Sequence, residues 1–107
     1  MTEQKKTRRQ KLEELLAKNP QDAFTLYGLA LECSNSGDFN AAETHFRSLL
    51  DSNPDYVPGY QMYAQGLAQH NRSDDARNVL TQGIQAAART GNQHARSEME
   101  ALLTNLG

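Results

Sequence analysis

Apolar residues recur at three- and four-residue intervals along nearly the whole chain, separated by short polar breaks, and no stretch reads as a strand. In DAFTLYGLALECSNS, Leu26, Leu29, Ala30 and Cys33 share one helical face; in NAAETHFRSLLDSN, Ala42, Phe46, Leu49 and Leu50 do the same. Residues 3–18 form a further amphipathic stretch, and in residues 92–105 the residues Ala95, Met99, Leu102 and Leu103, with Leu106 just beyond, gather on one side. "TQGIQAAARTGN" predicts a helix that runs to about Arg89 before Gly91 breaks it. The expected class is all-α, with about six helices.

The pattern repeats. LLAKNPQDA at residues 15–23 returns as LLDSNPDYV at residues 49–57, an offset of 34 between Asn19 and Asn53. At that offset Leu12 falls on Phe46 and Leu80, Leu16 on Leu50 and Ile84, Leu29 on Tyr63, Cys33 on Leu67 and Ala42 on Ala76. Gly37 falls on Asn71, the two residue types that best tolerate the left-handed backbone closing a helix. Asp38 in one copy, and Ser73 with Asp74 and Asp75 in the other, follow as helix-start signals. Pro20 and Pro54 lack a backbone donor and push the preceding Asn out of helical geometry, so each separates one helix pair from the next. Ala30, Ala64, Ala42 and Ala76 are small enough for paired helices to approach closely.

Helix-turn-helix units repeating every 34 residues resemble the tetratricopeptide repeat over nearly the full chain. Leu29, Ala30, Gly37, Ala42, Phe46 and Pro54 look like the positions of that motif, as do Tyr60, Ala64, Asn71, Ala76 and Leu80 in the second copy, which departs from it at Gly83 and Ala88. The resemblance implies an α-solenoid, a right-handed superhelical stack of antiparallel helix pairs in one domain. Its parts would be an N-terminal half-repeat at 3–20, repeats at 21–54 and 55–90, and a capping helix at 91–107. It also implies a protein-interaction adaptor or scaffold whose first helices line a concave groove, here Phe24, Tyr27, Leu31, Asn35, Gln61, Gln65, Gln69, Ala95 and Met99. Members that clamp a C-terminal carboxylate use Lys, Asn and Arg where this chain has Tyr27, Leu31, Met62, Asn92 and Arg96; only Arg96 fits, which argues against chaperone tails as ligands.

Two features of that surface stand without the resemblance. Gln61, Gln65 and Gln69 recur at four-residue steps, an amide strip able to donate and accept hydrogen bonds, or simply a solvent face. Phe24, Tyr27 and Leu31 lie off the core positions and await a ligand, the N-terminal helix, or another copy of the chain. The expected partner is therefore a protein or peptide, with self-association as the alternative.

Composition narrows the rest. With 107 residues, 37% apolar and 22% charged, the chain suits one domain, and no apolar run approaches the ~20 residues of a membrane span. A start without an apolar core and a single cysteine point to a cytoplasmic protein. His45, His70 and His94 stand far apart, the pair His94 and Glu98 offers two ligands at most, and Cys33 lies on a core face. Neither catalysis nor a cofactor or metal is expected. Five Lys or Arg among residues 1–11 oppose Glu3, but no aromatics interleave and residues 12–107 are net acidic. That argues against nucleic acid and leaves a solvated arm, frayed over residues 1–7, or a dock for an acidic surface.

Overall fold

The computed structural model describes residues 6–106. They form six α-helices: α1 (Arg8–Lys18), α2 (Ala23–Asn35), α3 (Phe39–Ser52), α4 (Val57–Gln69), α5 (Ser73–Thr90) and α6 (Gln93–Asn105). No strand occurs among the described residues. The chain divides into two compact units, 1–52 and 53–107.

In the first unit α2 pairs with α3 and α1 packs on α2. Its core joins Leu26, Leu29, Ala30 and Cys33 to Ala42, Phe46 and Leu49, all at most 1% exposed. In the second unit α4 pairs with α5, and α6 packs mainly on α5. Ala64, Leu67, Ala76, Leu80, Ala86, Ala87 and Met99 are fully buried there. The alanines expected at close helix crossings are thus in the core of both pairs.

The turns explain why the motif repeats. After α2 the Gly37 amide donates to Ser34 O and the Asp38 amide to Cys33 O; after α4 the Asn71 amide donates to Ala68 O and the Arg72 amide to Leu67 O. After α5 the amides of Gly91 and Asn92 donate to Ala88 O and Ala87 O in the same pattern. Gly37, Asn71 and Gly91 all have positive φ, at 85°, 60° and 72°. This is the same left-handed closure three times, and it satisfies carbonyls that a helix end leaves open. Each Asn-Pro pair makes a different turn, closed by the Asp22 amide on Asn19 O and the Tyr56 amide on Asn53 O, with proline presetting the first central residue.

Asp38 caps α3 through Ala41 N, as expected. Ser73 instead becomes the first residue of α5, and its cap residue Arg72 does not cap the helix amides with its side chain but pairs its guanidinium with Asp75 at 2.9 Å. The N-terminal helix starts at Arg8, later than expected, because Thr7 and Gln10 form a reciprocal capping box that fixes its first turn. Of the segment expected to fray, Thr7 is held by that box and Lys6 pairs with Glu14, while residues 1–5 lie outside the described residues.

Candidate functional site

Four of the expected binding residues lie along one face of α2. Phe24 is 69% exposed, Tyr27 and Leu31 are half-buried, and Asn35 is exposed. Asp22 sets the start of this helix: its carboxylate accepts from both the hydroxyl and the amide of Thr25, at 2.7 and 2.9 Å, and these bonds lower its pKa. The opposite face of α2 is committed to the core, so Phe24 cannot turn inward without unpacking Leu26 and Leu29. Helix α1 packs on α2 yet leaves Phe24 uncovered.

In the second unit Gln61 and Gln65 are half-buried and Gln69 is exposed along α4. Gln61 Nε2 donates to Glu98 Oε2 on α6 at 2.8 Å, and Glu98 Oε1 pairs with the exposed His94. One amide of the strip is thus tied to the last helix. The His94–Glu98 pair is a surface contact, and no cluster of three or more metal-ligating side chains occurs among the described residues.

Ala95 and Met99 are not surface residues. Met99 is fully buried and Ala95 is 8% exposed. The reason is register. Helices α2 and α4 start 34 residues apart, at Ala23 and Val57, but α6 starts 36 after α4, at Gln93. Without a proline at Ala88, α5 runs for 18 residues against 14 in α3 and carries α6 two positions on. Met99 therefore matches buried Tyr63, and Ala95 matches buried Gly59. On α6 the positions level with Pro58, Gln61, Gln65 and Gln69 are His94, Ser97, Ala101 and Asn105, all exposed. The length of the unbroken run before Gly91 was the available signal.

Cys33 is fully buried, and desolvation raises its pKa, so the thiolate is disfavoured. The basic first helix is matched by nearby carboxylates: Lys6 with Glu14, Arg8 with Glu32, and Arg9 with Glu13 and Asp38. No described helix is long and apolar enough to cross a membrane.

Comparison with known proteins agrees with this architecture. Residues 35–106 match the family model described as tetratricopeptide repeat. A TPR repeat-containing protein of Pseudomonas aeruginosa is 28% identical over 95 residues, covering 89% of this chain and 90% of its relative. The solution structure of a tetratricopeptide repeat domain protein from Salinibacter ruber superposes with a TM-score of 0.77 at 32% identity, over 82% of this chain and 89% of that one. A Bordetella parapertussis protein, at 24% identity, shares the fold with a TM-score of 0.79 over 95% of this chain and 89% of its own.

Proposed function

Because this chain belongs to the tetratricopeptide repeat family, we propose that it is an interaction module that binds an extended or helical polypeptide segment on the outward face of α2. It does so without chemically converting that segment. The observation that carries this reading is Phe24, a large aromatic left 69% exposed beside Tyr27 and Leu31 on a helix whose other face is packed. Contiguous apolar surface of this kind costs solvation and marks contact sites. In the second unit Gln61, Gln65 and Gln69 stand at the positions of Tyr27, Leu31 and Asn35, and their amides, Gln61 already donating to Glu98, can hydrogen-bond the polar groups of a peptide. On α6, Ser97, Ala101 and Asn105 take the place of Ala95 and Met99.

The ligand is not a carboxylate-terminated tail of the chaperone type. Correcting the register of α6 by two residues moves the last two clamp positions from Asn92 and Arg96 to His94 and Glu98, which removes the one match. The titratable groups are dispersed as well: His45 lies on α3, His70 caps α4 and His94 opens α6.

Capture from cell lysate followed by mass spectrometry tests the reading. Phe24→Ala and Gln65→Ala together should abolish recovery of the proteins that the native chain retains. Both residues lie off the packed faces, so melting should stay close to native. Recovery of the same proteins by the double variant would refute it.

A further inference from the structure

The outward face of α2 continues onto α1. Leu12 lies against Gly28, where a Cβ would stand 3.3 Å from Leu12 Cδ1, and Arg8 Nε lies 2.9 Å from Glu32 Oε1. Four residues forward on α1 thus match four residues back on α2, so the helices run antiparallel and the next turn of α1, with Leu15 and Leu16, comes level with Phe24. The side of α1 toward α3 is marked by Arg9, which reaches Asp38, the cap of α3, and by Glu13, which pairs with Arg9. Lys11, Leu15 and Lys18, four and three residues apart, lie on the other side. On α2 the buried residues Leu29, Ala30 and Cys33 face the α3 pairing, which again leaves Phe24, Tyr27 and Leu31 on the other side. Leu15 at 49% and Phe24 at 69%, the large apolar residues left exposed among the described residues, therefore share one side of the α1–α2 pair.

The free charge on that side has one sign. Lys11 and Lys18 are exposed one turn either side of Leu15, and neither has an ion-pair partner among the described residues, whereas Lys6, Arg8 and Arg9 each have one. Glu32 is the one charged residue of α2, and Arg8 already occupies it. An uncharged apolar centre with charge kept to its rim is the composition of a contact surface. We propose that the partner presents an acidic amphipathic helix to this surface: apolar residues seat on Leu15 and Phe24, and two carboxylates seven residues apart meet Lys11 and Lys18. This rests on the binding face proposed above and names the class of its ligand. Seven residues span about 10.5 Å of axis in any α-helix, so one ligand helix lying along α1 meets both cations without bending. The apolar seat supplies the attraction, while the lysines select for sign and set the register.

Two labelled, alanine-rich synthetic helices test the proposal by fluorescence anisotropy with the full chain. One carries Leu and Phe on a single face with Glu one turn before and one turn after; the other has Gln in place of both Glu. The acidic peptide should bind about three- to tenfold more tightly than the neutral one, and added salt should narrow that difference. Lys11→Gln with Lys18→Gln should remove the difference while melting stays close to native, since both side chains are exposed. Phe24→Ala should weaken both peptides alike. Equal affinity of the two peptides for the native chain, or a preference that survives the double lysine substitution, would overturn the acidic class and leave the binding face standing. Failure of both peptides to bind would overturn the face as well. A dimer that the double lysine substitution abolishes and the acidic peptide fails to dissociate would also overturn the proposal, since it assigns this surface to a second copy of the chain.

Discussion

An ideal Cβ on Gly83 would lie 2.6 Å from Tyr60 Cβ and 2.7 Å from Met99 Sδ. The methionine can move, but a Cβ is fixed to its backbone, so α4 and α5 meet here as closely as a missing side chain permits. Tyr60 is further pinned by its hydroxyl, which donates to Pro54 O at 2.7 Å. Alanine normally stabilises a helix interior relative to glycine by about 1 kcal/mol. Gly83→Ala should instead destabilise by about 1–3 kcal/mol in urea unfolding, because overpacking outweighs propensity. Asn71 poses the reverse case. At φ 60° it closes α4, where a glycine would sit without strain. Asn71→Ala should cost about 1–2 kcal/mol in the same assay, and Asn71→Gly should be close to neutral.

Helix α3 carries a pH dependence of its own. Burial lowers the pKa of His45, and Arg9 on α1 adds to the effect while Glu13 opposes it. The folded chain therefore takes up this proton less readily than the unfolded chain, whose imidazole titrates near ~6.5. The stability His45 permits is complete above that value and declines as pH falls below it. Asp22, whose carboxylate the Thr25 hydrogen bonds hold below the ordinary range, does not enter this window. The urea midpoint should drop between neutral and mildly acidic pH, and His45→Gln should flatten the drop. Elements were the best-written part of the chain: apolar spacing located every helix pair, and the Gly37–Asn71 match identified one backbone conformation under two side chains. The face of α2 could be read because its core positions were unambiguous. The face of α6 could not, because a repeat offset assumes equal helices and α5 is four residues longer than α3. Nor did sequence show that Thr7 and Gln10 cap α1, since the cationic cluster around them argued for fraying.

For the molecule as a whole, the competing outcome is that the exposed face binds another copy of the chain. Area decides what to expect. A stable protein interface buries about 1,200–2,000 Å² in total, some 600 Å² or more from each partner. Phe24 supplies on the order of 150 Å², and Tyr27 and Leu31, already half-buried, add less each. The trio is too small to hold a dimer by itself, although it is large enough to anchor a short peptide whose remaining contacts are polar. Light scattering over the micromolar range should therefore return a constant mass near 11.9 kDa. Phe24→Ala should leave that mass unchanged while removing the captured partner. A dimer that persists on dilution and disappears in Phe24→Ala would mean that the face serves self-assembly, and that proteins recovered from lysate reach the chain elsewhere.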